Sequence, residues 1–173
     1  MKPIWNTINK VIGFVNLIIG MIIFYMLFDL TKHHFNTIQS LSEHNGFHKI
    51  ETSFFDLILE KWKILFNATL FTVSGMLLLS KKKLGWILSY SCWIVSAIIL
   101  LPITIYGMRG VTTTLHEYEY WDQVYGGIGL LFSLTVLILL SLQPIRILHN
   151  IDRNSWLLSF GIVLLIFLMK SII

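Results

Sequence analysis

The chain has 173 residues, of which 55% are apolar and only 13% are charged, and its formal net charge is +4. A soluble domain carries about 25% charged residues, so this composition excludes an ordinary water-soluble globular protein. The longest basic run is the lysine triplet at positions 81–83, which is too short to indicate a nucleic-acid partner. Cys92 is the only cysteine, which excludes an intramolecular disulfide, a CxxC redox pair and a zinc site made of cysteines.

Five apolar runs are long enough to cross a bilayer as helices, because about 20 helical residues span roughly 30 Å of hydrocarbon. In chain order they are Ile4 to Phe28, Trp62 to Ser80, Leu84 to Tyr106, Val124 to Leu142 and Ser155 to Ile173. The first run resembles a signal peptide, but no small-residue cleavage site follows it. It is therefore interpreted as a helix that stays in the protein. The sequence therefore predicts an all-α, polytopic integral membrane bundle of about five transmembrane helices, forming one domain over residues 1–173.

The tryptophans agree with these helix positions. Indole rings favour the headgroup level of a membrane. Five of the six tryptophans stand at the start of a predicted helix: Trp5, Trp62, Trp86, Trp121 and Trp156. This pattern predicts an interfacial position for those five rings.

The loops predict the orientation. A short basic turn such as Lys81 to Lys83 is normally cytoplasmic, which places the amino terminus inside. Residues 29–61 and 107–123 then form outward loops, and residues 143–154 lie inside. We expect the chain to reside in a membrane of the bacterial cytoplasmic (inner) type.

Small and polar residues mark the faces that should pack. Helices in lipid associate through close backbone approach and interhelical hydrogen bonds. Residues spaced by three and four form such faces on the first and fourth predicted helices: Asn9, Gly13, Asn16 and Gly20, and Gly126, Gly129 and Ser133. Asn16 at mid-depth either bonds to a neighbouring helix, which we favour, or binds a ligand or partner helix.

A polar stripe descends from the first outward loop. Ser53 and Asp56 fit a capping box, so a helix should begin near residue 53 and continue without a break to Ser80. Along it, one narrow arc holds Asp56, Glu60, Lys63 and Asn67. The arc is either a polar opening to a cavity or, as we favour, a solvated face stabilised by a Glu60 to Lys63 pair.

The second outward loop holds a cluster of reactive side chains at the start of the fourth helix. Its members are His116, Glu117, Glu119 and Asp122. They could supply acid and base groups at the outer surface, but an interfacial belt of aromatic rings with acids in water is the more ordinary interpretation. No metal-binding motif accompanies them, and no metal or cofactor is predicted.

No charged residue falls at the centre of a predicted span, which argues against a proton-driven transporter and an intramembrane acid-base enzyme. The first hypothesis is therefore a non-catalytic subunit or accessory component of a larger membrane complex. Its expected partners are membrane lipids and other membrane subunits or further copies of itself. The alternative is a small carrier or lipid-binding protein whose cavity opens along the polar stripe. A membrane enzyme acting at the outer surface is the third hypothesis.

Overall fold

The structure is a computed structural model that describes residues 3–44, 53–110 and 117–171. Within these ranges the chain forms helices and no strand. In chain order the helices are α1 (Pro3–His44), α2 (Phe54–Glu60), α3 (Trp62–Leu79), α4 (Lys83–Gly110), α5 (Glu117–Ser141), α6 (Gln143–Leu148) and α7 (Arg153–Ser171). The predicted all-α bundle is confirmed.

The bundle is organised around α4. Helices α3, α5 and α7 each pack on α4, while α1 packs along α3. The short helix α6 contacts both α1 and α5 at the end of the bundle where the chain turns from α5 to α7. Because α4 has three neighbours, its side chains dominate the buried core, which includes Trp86, Ile87, Cys92 and Trp93.

Two tight connections lie at the end of the bundle where α1 begins. Between α3 and α4, Lys81 adopts the left-handed region with φ 55°, and the amide of Lys82 donates to the Leu77 carbonyl at 3.0 Å. Between α6 and α7, Asn150 has φ 52°, a conformation that asparagine tolerates better than most residues. An ion pair of 3.0 Å between Lys83 and Asp152 joins the two connections.

Helix α1 is much longer than predicted. The predicted span ended at residue 28, with an outward loop from 29 to 61, but α1 continues to His44. Residues 29–44 contain neither glycine nor proline, so nothing in them interrupts the backbone hydrogen bonds of the helix. Its 42 residues reach about 63 Å at about 1.5 Å per residue, roughly twice the thickness of a bilayer's hydrocarbon core.

Helix α2 packs on this extension of α1. The Phe54 ring meets the rings of Phe28 and Phe35 edge-on, with centroids 5.4 and 5.8 Å apart, and Leu57 is buried. The Ser53 hydroxyl accepts a hydrogen bond from the Phe55 amide at 3.2 Å, which confirms the predicted helix start near residue 53.

The prediction of one unbroken helix from residue 53 to Ser80 is wrong. The chain leaves helical geometry at Lys61, with φ −92° and ψ 29°, and α3 begins at Trp62. The break allows α2 to pack on the extension of α1 while α3 follows the bundle. No glycine or proline marks this position, so local helix propensity does not explain the break. The tertiary contact of α2 with α1 explains it.

Four helices of the described ranges are long and apolar enough to cross a membrane. They cover Pro3–Ser40, Trp62–Leu79, Lys83–Ile105 and Val124–Ser141. Helix α7 has a shorter apolar part, Arg153–Leu168. The predicted count of about five spans therefore becomes four by length and composition, with α7 as a shorter apolar helix beside α4.

Candidate functional site

Asn16 is the centre of a buried polar cluster that joins α1, α3 and α4. Its Nδ2 donates to Ser74 Oγ at 3.0 Å and to Ser89 Oγ at 2.8 Å. Its Oδ1 accepts a hydrogen bond from Trp93 Nε1 at 3.0 Å. All these side chains are buried, so the cluster is closed to solvent. Both amide protons of Asn16 are used by the chain's own side chains.

Trp93 connects this cluster to the aromatic core. Its ring lies edge-on to Phe71 of α3 at 5.6 Å and to Phe132 of α5 at 5.5 Å. One indole ring on α4 therefore contacts α3 and α5 through its faces and edges while its N–H bonds to α1. This is the only tryptophan that the sequence placed inside a predicted span.

A second polar centre lies near the two tight connections. Asn9 Nδ2 donates to the Leu78 carbonyl at 3.0 Å, and Asn9 Oδ1 lies 2.8 Å from His149 Nε2. Because a carbonyl can only accept, the bond to Leu78 fixes the orientation of the Asn9 amide. His149 Nε2 must therefore carry a proton and donate it to Asn9.

His149 bridges three parts of the chain, because its Nδ1 also lies 3.2 Å from the Lys82 carbonyl. Burial lowers the pKa of the imidazole below its ordinary value, and the positive charge of Lys81 acts in the same direction. The carbonyls of Lys82 and Lys81 partly oppose this effect. In the neutral ring the proton lies on Nε2, and the contact of Nδ1 with the Lys82 carbonyl is a hydrogen bond only when the ring is protonated at both nitrogens. Sequence reasoning missed His149, since nothing near it in the chain marks Asn9 as its partner.

Trp86 lies in the first turn of α4, but its ring faces the core of the bundle. It is fully buried, and its Nε1 donates to the Leu140 carbonyl of α5 at 2.9 Å. The Tyr90 ring stacks on it at 4.9 Å, and Trp156 of α7 meets it edge-on at 5.1 Å. The ring is buried because α4 is enclosed by its neighbours, a property that depends on helix order and not on position within a span.

The small residues of the first predicted face lie where α1 crosses α3. A Cβ atom added at Gly13 would stand 2.8 Å from Leu79 Cγ, and one added at Gly20 would stand 2.8 Å from the Thr72 amide nitrogen. Asn9 and Asn16 lie on the same face and are buried. This close approach of two backbones is the arrangement that small residues permit.

The face predicted on the fourth span lies against α4. A Cβ atom at Gly126 would stand 3.1 Å from Ile103 Cγ2, and one at Gly129 would stand 3.2 Å from Leu100 Cδ1. Ser133 is buried and donates to the Gly129 carbonyl at 2.8 Å. Both faces therefore lie at contacts within the chain.

The polar stripe divides into two parts. Asp56 and Glu60 are exposed on α2, and neither lines a described cavity. Among the described residues no ion pair joins Glu60 to Lys63, so that expected pair is not formed. The break at Lys61 separates the two acids from Lys63 and Asn67, which lie on α3.

Lys63 and Asn67 line a cavity of about 190 Å³ between α3, α4 and α7. Its other walls are Trp62, Phe66, Val95, Ile99, Ile166 and Phe167. A cavity of about 180 Å³ adjoins it and shares Asn67, Val95 and Ile99. The walls are mostly apolar, and the pair of cavities is therefore suited to an apolar chain with a polar end.

The predicted outer-surface cluster falls largely outside the described residues. His116 belongs to the segment between α4 and α5, whereas Glu117, Glu119 and Asp122 lie in the first turns of α5 without described side chains. Acid-base chemistry by this cluster therefore stays a prediction. Among the side chains that the structure describes, no group of three histidine, cysteine, aspartate or glutamate residues could hold a metal ion.

Comparison of the chain with protein-family models, curated proteins and solved structures found no match.

Proposed function

We propose that the chain is a multi-pass integral membrane protein, with the start of α1 and the lysine turn on the cytoplasmic side of a bacterial inner membrane. The distribution of side chains supports insertion in a membrane. Large apolar residues point outward, such as Met21 on α1, Leu131 on α5 and Leu164 on α7, which are 63%, 68% and 63% exposed. Polar side chains such as Asn16 are buried instead. Lipid as the surrounding solvent accounts for this inverted arrangement.

Cysteine labelling in intact cells tests this topology. In a Cys92→Ser background, Lys82→Cys should react with a membrane-impermeant maleimide only after the cells are permeabilised. His34→Cys, on the extension of α1, should react in intact cells. The reverse result would overturn the orientation, and recovery of the chain without detergent would overturn membrane insertion itself.

Within the membrane we propose that the chain acts as a non-catalytic subunit of a larger complex. The observation that carries this proposal is the chemistry of the interior. No described aspartate or glutamate side chain is buried, and the two buried cationic atoms, Lys61 Nζ and Arg146 Nε, lie outside the helices that could cross a membrane. The central cluster of Asn16 is bonded to the chain's own side chains. The membrane-spanning parts that the structure describes therefore bury no carboxylate or imidazole for proton transfer, which supports packing and assembly as the role.

The α1 extension and α2 supply a surface for a partner subunit. Leu30, Phe55 and Leu59 are exposed there. The neighbouring side chains on this extension are polar, among them Lys32 and His33, and they are exposed as well. Apolar side chains within a polar surface of this kind are typical of a protein contact.

Crosslinking in native membranes tests the assembly. We expect the wild-type chain to crosslink into a species of defined mass larger than two copies, and Phe55→Gln with Leu59→Gln to release it. The matched control is Leu131→Ala with Ile138→Ala on the outer face of α5, which should leave the species unchanged. If crosslinking yields only single chains and pairs of chains, the chain is not a subunit of a larger complex.

A second candidate function is binding of a lipid or another small amphiphile. The cavity lined by Lys63 and Asn67 favours it. The test is the mass of the intact protein after purification in a mild detergent, which should include a bound molecule. A protein that carries no additional mass, and accepts none when lipid is supplied, would eliminate this candidate.

A further inference from the structure

We propose that the cavity between α3, α4 and α7 binds one anionic glycerophospholipid from the bilayer. Its phosphate lies at Lys63, its ester carbonyls lie at Asn67, and an acyl chain follows the apolar wall towards Ser96. This inference rests on the second candidate function and names the ligand class and the residues that recognise it.

The packing of the bundle explains why a cavity exists here. Helices α3 and α7 both pack on α4 but make no extensive contact with each other, which leaves a groove along α4. Towards the end of α4 near the lysine turn, the rings of Trp86, Tyr90 and Trp156 fill the space beside α7. At the opposite end the described residues form no such ring cluster beside α7, and Ile99 on the cavity wall remains 39% exposed. The cavity is therefore accessible from the side of the bundle.

Asn67 provides the polar contact inside the cavity. Its amide lines both cavities and has no hydrogen-bond partner within the part of the chain that the structure describes. An amide left unsatisfied in an apolar environment is destabilising, unlike the fully bonded Asn16 on the neighbouring helix. The ester carbonyl of a lipid is an acceptor that would satisfy it.

Lys63 provides the charge at the mouth. It is exposed in the first turn of α3, forms no described ion pair and has its Nζ 6.0 Å from the Trp62 ring centroid. Trp62 marks the headgroup level that indole rings prefer. Lys63 and Asn67 are one helical turn apart, about 6 Å along the axis, so a phosphate and the ester linkages beneath it can contact both. Glu60 is the nearest acid on the stripe, and it does not line the cavity.

Native mass spectrometry of the full chain, stripped of lipid in detergent, tests the inference. Phosphatidylglycerol and phosphatidylcholine with identical acyl chains are added separately. We expect one phosphatidylglycerol to bind about fivefold more tightly than phosphatidylcholine, the contribution of one lysine near an anionic group. Lys63→Gln should abolish that preference, and Asn67→Leu should weaken the binding of both lipids.

Lys32→Gln is the matched control, because it removes an exposed cation from the α1 extension and should leave binding unchanged. An equal loss of preference in Lys32→Gln and Lys63→Gln would overturn the site. Equal wild-type binding of the two lipids would overturn the anionic headgroup while the lipid-binding candidate stands, whereas no binding of either lipid would overturn both. Thermal unfolding followed by tryptophan fluorescence shows whether each variant is folded, and Asn67→Leu should be no less stable than wild type.

Discussion

His149 Nε2 lies 2.8 Å from Asn9 Oδ1, although the two residues are 140 positions apart in the chain. This contact joins the first turns of α1 to the connection that precedes α7. The second ring nitrogen faces the Lys82 carbonyl in the turn between α3 and α4. A single buried imidazole therefore contacts the three chain segments that meet at this end of the bundle, and in its neutral form it donates its hydrogen bond to Asn9.

The protein should become less stable as the pH falls below about 6.5, the ordinary pKa of histidine. Burial lowers the pKa of His149 in the folded state. Between the ordinary and the lowered pKa, the unfolded chain binds a proton that the folded chain does not, so unfolding is favoured. Thermal unfolding in detergent between pH 8 and pH 5 measures this effect.

The thermal unfolding midpoint of His149→Gln should be lower than that of wild type. It should also decrease less between pH 8 and pH 5. Replacing the exposed His33 and His34 with glutamine is the control, and it should leave the decrease intact. A wild-type midpoint that rises on acidification would show that the imidazole is protonated in the folded state.

Asn16→Leu should destabilise the bundle by roughly 1 to 3 kcal/mol, because Trp93 loses its acceptor and two buried serine hydroxyls lose a donor. Reversible unfolding in mixed micelles gives the free energy of unfolding. The coupling is tested by Trp93→Phe, which should destabilise the Asn16→Leu protein less than the wild type. Strictly additive effects would mean that the bond between Asn16 and Trp93 contributes nothing.

Two glycine substitutions should have opposite effects. Gly20→Ala should destabilise the protein by about 1 to 3 kcal/mol, because its Cβ would stand 2.8 Å from the Thr72 amide nitrogen and 3.0 Å from the Ala68 carbonyl. Gly161→Ala meets nothing within 4 Å and should stabilise α7 by up to about 1 kcal/mol through helix propensity. Unfolding midpoints of the two variants and wild type measure both effects. Equal effects would indicate that α1 and α3 are not in close contact.

The hydrogen bonds between Asp152 and Ser155 should stabilise the fold more than the ion pair between Asp152 and Lys83 does. Its Oδ1 accepts from the Ser155 amide at 2.9 Å and from the Ser155 hydroxyl, and its Oδ2 accepts from Lys83 Nζ at 3.0 Å. The bonds from Ser155, followed by the one from Lys83, hold the pKa of this carboxyl well below its usual range. Exposed ion pairs contribute little to stability, whereas a side chain that caps a helix start contributes more.

The unfolding midpoint should therefore fall more in Asp152→Ala than in Lys83→Ala. Asp152→Asn keeps an oxygen that can accept from Ser155, so it should resemble Lys83→Ala. A larger loss in Lys83→Ala than in Asp152→Ala would assign the stabilisation to the ion pair.

The predicted helix positions depended on local properties, and they were largely correct for α3, α4, α5 and α7. The extension of α1 was missed because residues 29–44 were judged by polarity, although they lack any residue that ends a helix. The break at Lys61 could not be predicted, since it follows from the packing of α2 on α1. The sequence predicted the cavity only as one of two interpretations of the polar stripe. Of the residues in that stripe, Lys63 and Asn67 line the cavity.

The sequence by itself determined that this chain is a bundle of apolar helices and which of their faces carry small and polar residues. It did so because helical hydrogen bonds form within a segment and side-chain spacing decides which residues share a face. Only the tertiary structure decided that Trp86 is a core residue, that His149 meets Asn9 and that Asn16 meets Ser74, 58 positions away. Those contacts depend on which helices become neighbours around α4, and no local pattern contains that information.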